Sequence, residues 1–207
     1  MNDMRSASFG EHVTPSVVDR LGRWLSTSKM RKFLGREVHQ RTADIGCGFD
    51  GALGRHLFAR SQSLLLVDIH VDPALRADNV EILEGVLPDV LDDVGDDRFD
   101  AVICNNVLEH LSEPLATARH LYRITAPGGM CLVNVPSWRG KFFLELAAFR
   151  LRLAPADEMN DHKTYYDPRD LWPLLVSAGF RPSDIRVRKH KGGLNTIAAC
   201  RKVAAHR

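Results

Sequence analysis

A doubly wound α/β fold, with a mainly parallel seven-stranded sheet that ends in an antiparallel hairpin, is predicted by three features of the sequence. Short apolar segments alternate with helix-periodic ones from residue 41 to residue 179, the pattern of a sheet with helices on both faces. One apolar segment, Ser63-Leu-Leu-Leu-Val67, has no polar side and suits a strand buried on both faces. Two last runs, about 184–190 and 195–202, flank Lys191-Gly192-Gly193 and read as a hairpin.

The elements follow in order. Val17, Val18, Leu21, Trp24 and Leu25 recur at helical spacing, so residues from about 16 to 33 form an amphipathic helix. Residues 1–37 are set apart as a helical leader or lid, and residues 38–207 as the main domain. Arg41 to Ile45 is a strand running into glycines, and Ala52 to Arg60 a helix. Ser63–Val67, Val80–Leu83 and Phe99–Cys104 are the next strands. Ser112 can cap a helix over Glu113–Ile124, with Pro114 in its first turn. Pro127-Gly128-Gly129 breaks the chain before a fifth strand, Met130 to Val135. Residues 136–166 are less regular, and Asp167-Pro168 then opens a helix that stops at Gly179.

Composition bounds the function. The 207 residues suit one core with a short appendage, and 44% hydrophobic content excludes a wholly disordered chain. Lys plus Arg is 28 against 26 for Asp plus Glu, a net charge of +2, which argues against a nucleic-acid coat or a polyacidic tail. Cys47, Cys104, Cys131 and Cys200 form no CxxC pair and read as scattered apolar residues of a reducing compartment. The N-terminus lacks the apolar core of a secretory signal. The longest apolar stretch, near Phe142 to Leu153, is broken by Glu145, Arg150 and Arg152, well short of the roughly 20 residues that span a bilayer. A cytoplasmic protein is expected, with peripheral membrane contact left open.

In open α/β sheets ligands bind beyond the carboxyl ends of the strands. The first such end is Asp44-Ile-Gly-Cys-Gly-Phe-Asp-Gly51, where Gly46 and Gly48 permit a tight turn. The second strand ends at Asp68, where a carboxylate can accept both hydroxyls of a ribose. Together they favour a nucleoside cofactor, either a nicotinamide dinucleotide or S-adenosylmethionine. Asp44 gives no benefit to a pyrophosphate but suits a cationic sulfonium, and a dehydrogenase usually needs a second domain that this length hardly provides.

The ordered set Asp-Ile-Gly-Cys-Gly, Val-Asp at the second strand end, Phe-Asp-Ala-Val-Ile-Cys-Asn-Asn-Val-Leu-Glu-His-Leu, and Ala-Pro-Gly-Gly before the fifth strand resembles class I S-adenosylmethionine-dependent methyltransferases over about residues 38–202. The resemblance implies a Rossmann-like sheet and S-adenosylmethionine as methyl donor. It places Asp44 and Gly46 under the methionine half and Gly48 beside the adenosine, with Cys47 among the cofactor-binding residues. It assigns Asp68 to the ribose, Ile69 to the adenine face, Glu84 and Gly85 to the adenine amino edge, and Asn105 to the methionine end. One departure is Asp50-Gly51, which shifts the loop's last glycine by one position.

The expected reaction is methyl transfer to a small-molecule acceptor, with oxygen favoured over nitrogen or carbon. A non-catalytic S-adenosylmethionine-binding protein, an RNA methyltransferase and an NAD-dependent oxidoreductase are the alternatives. His162 and His110 are the candidate bases, because imidazole titrates near neutral pH. The chain also resembles, in part, the metal-assisted O-methyltransferases of ubiquinone biosynthesis and of small-RNA 3′ ends, which place Glu-x-x-Glu-His where this chain has Asn106-Val-Leu-Glu109-His110. Asn106 removes one anionic ligand, so no metal is the preferred expectation and a divalent ion on Glu109, His110 and His162 the alternative. Residues 136–166 are expected to cover the acceptor side, with 137–156 as a lid helix, an acceptor wall, a dimer contact or a membrane-surface helix. The oligomeric state is left open. Arg186, Arg188, Lys189, His190 and Lys191, and the earlier cluster Arg31, Lys32 and Arg36, read as solvated surface, and nucleic acid is disfavoured as a partner.

Overall fold

Successive strand residues point to opposite faces of a sheet, so each face selects its own apolar set and its own helices. The computed structural model describes residues 8–11, 17–35, 39–145 and 163–203. Its elements are α1 (Val17–Leu34), β1 (Arg41–Ile45), α2 (Ala52–Leu57), β2 (Ser63–Asp68), β3 (Val80–Glu84), β4 (Phe99–Asn105), α3 (Pro114–Ile124), β5 (Thr125–Pro136), α4 (Trp138–Glu145), α5 (Pro168–Ala178), β6 (Ile185–His190) and β7 (Asn195–Arg201). The seven strands lie in the order β3-β2-β1-β4-β5-β7-β6. Strands β1 to β5 are parallel, and β7 runs antiparallel between β5 and β6. β6 therefore points the same way as β1 to β5, and its last residue, His190, reaches the carboxyl edge. The expected hairpin is present, with β7 as the one reversed strand of the sheet.

On one face Ala43, Ile45, Leu65, Val67, Val102, Cys104, Val133 and Ala198 pack against Leu121 of α3 and Leu171 and Leu175 of α5. On the other, Leu64, Leu66, Ile103, Leu132 and Ile197 pack against Met30 and Leu34 of α1 and Leu53 of α2. Each fully buried Leu or Ile contributes about 1.5–3 kcal/mol of transfer free energy. Truncating one, as in Leu66→Ala, costs about 2–5 kcal/mol because the packed interior closes the cavity only in part.

Four local readings are corrected. In α1 the packed stripe is Ser26, Thr27, Met30 and Leu34, while Trp24 is 62% exposed and Leu25 lies at the surface. The side chains of Val17, Val18 and Leu21 lie outside the described residues. α2 stops at Leu57 instead of Arg60, because Phe58 leaves helical dihedrals and its ring is buried. The α3 N-cap is Glu113, with Pro114 in the first turn. Ser112 instead receives a hydrogen bond from Lys163 Nζ at 2.7 Å. Pro127-Gly128-Gly129 is a register shift within β5 rather than a break before it. A Cβ on Gly129 would lie 2.8 Å from the Ala126 carbonyl oxygen, so only glycine fits this kink.

Candidate active site

The strand order reverses between β1 and β4, which opens a crevice at their carboxyl ends. The turn after β1 is closed by its own amides. Gly46 N and Cys47 N both donate to Val67 O, at 2.8 and 3.0 Å, and Gly48 N donates to Asp68 Oδ2 at 2.7 Å. Gly46 has φ +74°, and a Cβ there would fall 2.2 Å from Val107 Cγ2, so the turn tolerates no side chain.

Carboxylates occupy the start of α2. Period-two geometry points Asp44 to the α2 face, where it is 1% exposed and its Oδ2 accepts Gly54 N–H at 2.8 Å. Asp50 Oδ1 accepts Ala52 N–H at 3.1 Å. Asp44 was expected under the methionine half of the donor; in the structure it lies beneath the turn and is bound to the helix. Together with Asp68, these carboxylates help burial push the Cys47 thiol far up. A phosphate seeks free amides at a helix start. Here the amides of residues 46–48 are engaged and anions already stand around the turn, which disfavours a pyrophosphate and therefore the dinucleotide alternative.

Asp68, at the end of β2, accepts Gly48 N–H on Oδ2 and Ile69 N–H at 2.8 Å on Oδ1. Oδ1 also accepts the Ser8 hydroxyl at 2.5 Å. Ser8 Oγ in turn accepts His70 N–H at 2.8 Å, and Glu11 lies 3.1 Å from His70 Nδ1. Phe49 N donates to Phe9 O at 2.9 Å. Residues 8–11 thus strap over the turn, and a serine hydroxyl donates to the carboxylate as a ribose hydroxyl would. The carboxylate's chemistry fits the nucleoside expected there. Glu84, at the end of β3, accepts Val71 N–H at 2.8 Å and so shapes the loop after β2. Gly85 N donates to Asp68 O, and a Cβ on Gly85 would meet Val90 at 2.7 Å.

Asn105 leads to a network that the sequence reading missed. It pairs in register with Asn134 of β5, and Asn134 Nδ2 donates to Asn105 Oδ1 at 2.9 Å and Asn106 Oδ1 at 3.2 Å. Asn106 has φ +56°, a conformation asparagine tolerates better than most residues, and its N–H donates to Asn134 O at 2.8 Å. Asn134 Oδ1 lies 2.7 Å from His190 Nε2. His190 is half-buried and held neutral: burial first, then Lys191 and Lys29, lower its pKa to about 4. Lys191, on the bend after β6, is lowered to about 8 by burial, with Glu109 pulling the other way. Arg186, Arg188 and Lys189 are surface residues as expected, whereas His190 and Lys191 turn inward. The available signal was Asn134 itself. A polar amide inside the apolar run Cys-Leu-Val-Asn-Val-Pro needs buried partners.

Glu109 is 1% exposed in the turn after β4, and its carbonyl accepts Lys163 N–H at 2.7 Å and Thr164 N–H at 3.2 Å. This ties the return from the 136–166 segment to the Glu109-His110 turn. His110 lies partly buried in that turn, whereas His162 lies outside the described residues, as does most of the 137–156 stretch. Among the described residues no three His, Cys, Asp or Glu side chains gather as a metal set. Tyr165 and Tyr166 are buried, so they form no exposed stacking platform for RNA bases. No helix among the described residues is long and apolar enough to cross a membrane.

Comparison with known proteins gives the family and the fold. The chain is 27% identical over 172 residues to a ubiquinone biosynthesis O-methyltransferase of Psychrobacter arcticus, covering 71% of this chain and 65% of that protein. It is 26% identical over 156 residues to the protein of the same name from Pseudomonas putida, covering 70% and 66%. The matches thus span slightly less than two thirds of these relatives. A solved S-adenosylmethionine-dependent methyltransferase from Archaeoglobus fulgidus superposes with a TM-score of 0.64 at 15% identity, covering 87% of this chain and 94% of that one, and shares the fold. The profile of the methyltransferase domain family matches residues 16–183. With that match over most of its length, a closed glycine turn and a carboxylate that takes a hydroxyl, the chain belongs to the class I S-adenosylmethionine-dependent methyltransferase family.

Proposed function

We propose that the chain transfers the methyl group of S-adenosylmethionine to a hydroxyl oxygen of a small organic acceptor. The observation that carries donor recognition is the turn at residues 46–48, whose amides are engaged while Asp44, Asp50 and Asp68 stand around it. Such a site favours a cationic nucleoside over a phosphorylated one. Asp68 would hold the ribose, Ile69 the adenine face, and Glu84 and Gly85 the adenine edge. Gly46, Cys47 and Gly48 would form the floor, with Asn105 toward the methionine end. When bound, the donor supplies a methyl group on a positively charged sulfur, and the protein aligns it and manages the acceptor's proton.

Oxygen is favoured because the relatives above are named O-methyltransferases. His110 stands in the turn after β4, where it can face an acceptor, and His162 is retained as a second candidate base. The four buried free thiols support a reducing, cytoplasmic setting. Calorimetric titration should show heat with S-adenosylmethionine and S-adenosylhomocysteine and none with NADH. A panel of hydroxylated acceptors, read by formation of S-adenosylhomocysteine, then tests the transfer. No heat with either sulfur nucleoside overturns the proposal.

A further inference from the structure

We propose that His190, presented by Asn134, receives the proton of the acceptor hydroxyl through its Nδ1 atom. This rests on the oxygen-transfer reading above and adds a histidine outside the pair His110 and His162.

The argument begins with strand periodicity. Ile185 and Val187 of β6 face the core covered by α3 and α5, so Arg186, Arg188 and His190 point to the opposite, α1 face. Asn105 follows Ile103, and Asn134 follows Leu132, which both pack on that α1 face. Asn105, Asn134 and His190 therefore meet on one face at the carboxyl edge of β4, β5 and β6. His190 spans β7, the strand between, to reach Asn134 at 2.7 Å.

The amide orientation fixes the imidazole. Asn134 Nδ2 donates to the two oxygens of Asn105 and Asn106, which leaves Oδ1 for His190. Nε2 must then carry the hydrogen and donate, and Nδ1 keeps its lone pair. No described residue donates to Nδ1. Asn134 has no exposed surface, so the tautomer is set from inside the fold and presented at the mouth. The other end of the same amide chain is Asn105, at the donor's methionine end in the reading above. Asn134 thus links the donor side of the crevice to a proton acceptor.

The charges facing His190 suit the task. Lys29 comes from α1 and Lys191 from the bend after β6, while Glu109 approaches Lys191 from the turn after β4. The bend also brings Lys191 Nζ within 3.7 Å of the position a Cβ on Gly22 would take, which sets α1 against the bend. Burial, helped by the two cations, keeps His190 unprotonated and ready to accept, and the cations would stabilise negative charge on an acceptor oxygen. In the balanced step the acceptor O–H bond breaks and its proton goes to Nδ1. The oxygen's electron pair forms the O–CH3 bond, and the pair of the S–CH3 bond remains on sulfur as a neutral thioether. The imidazolium then returns its proton to water, hastened by both lysines.

The test uses the full chain. Histidine ¹⁵N NMR, with the signal assigned by its loss in His190→Gln, should show Nε2–H with an unprotonated Nδ1 at neutral pH. With catechol and an aliphatic alcohol as hydroxyl probes, His190→Gln should lower kcat on the order of 100-fold or more, with KM little changed. Its calorimetric affinity for S-adenosylhomocysteine should match the wild type. An Nδ1–H tautomer overturns the role whatever the turnover. Turnover by wild type that survives in His190→Gln within about threefold overturns it as well and leaves oxygen transfer standing. Wild-type chain that forms S-adenosylhomocysteine with neither hydroxyl probe overturns the oxygen reading, and the role of His190 with it.

Discussion

The Ser8 hydroxyl donates to Asp68 Oδ1 at 2.5 Å, so the strap at residues 8–11 engages the carboxylate proposed to hold the ribose. On that assignment a ribose hydroxyl and Ser8 would compete for one acceptor edge. Ser8→Ala should therefore tighten S-adenosylhomocysteine binding by about 2- to 10-fold, the range of one net hydrogen bond. Calorimetry measures this, and weaker binding would instead make Ser8 a part of the cradle.

Asp68 also anchors the turn itself, since it accepts the Gly48 and Ile69 amides. Asp68→Ala should weaken S-adenosylhomocysteine binding by about 1–3 kcal/mol through the loss of charge-assisted hydrogen bonds. An unchanged dissociation constant removes the ribose assignment.

Gly46 stands with φ +74° and would place a Cβ 2.2 Å from Val107 Cγ2. Gly46→Ala should cost about 1–3 kcal/mol of stability from backbone strain and overpacking, seen as a lower Tm. Adding Val107→Ala relieves the closest clash but not the strain, so the double variant should recover part of the lost Tm.

His190 and Lys191 make stability depend on pH in predictable directions. Unfolded, His190 takes its proton near 6.5, and folded only at about 4, so the unfolded chain binds more protons between these values. Stability should fall as pH drops through that window, and His190→Gln should flatten the fall. Lys191 releases its proton at about 8 when folded against 10.5 when unfolded. Its buried charge therefore costs stability below pH 8, and the cost fades as pH rises toward 10.5. Lys191→Met should raise Tm at neutral pH, by an amount that shrinks in alkaline buffer. Partial exposure trims both effects below what the shifts alone imply.

All four cysteines are buried and free. Burial raises the thiols, and Asp44, Asp68 and Asp50 add to the effect at Cys47. The native chain should resist iodoacetamide at about pH 8 and react at every cysteine once denatured, as mass spectrometry can count. Rapid native labelling of Cys47 would show that the turn opens.

The sheet was legible because its signals are local. An all-apolar run such as Ser63–Val67 can be buried only between two helix layers, and Gly46 and Gly48 mark a turn that no side chain permits. Asp68 could be read from its place at a strand end. What it binds in the folded chain could not, because Ser8 lies 60 residues away and carries no motif. Asp44 could be placed beneath the donor turn, but its bond to the Gly54 amide of α2 carries no sequence motif. His190 passed as surface because it sits among Arg186, Arg188, Lys189 and Lys191. Only the insertion of β7 between β5 and β6 brings it to Asn134. The stripe of α1 was misjudged for a related reason: Trp24 and Leu25 look like core until the sheet face beneath α1 has chosen Met30 and Leu34.

The reversal of β7 makes the enzyme divisible. The proposed nucleoside contacts lie at the ends of the first three strands, whereas the Lys191–Gly193 bend is carried by a hairpin whose ladder joins the rest of the sheet at β5 alone. Exchange of that bend between homologues offers a route to new methyl acceptors while the donor's grip stays intact.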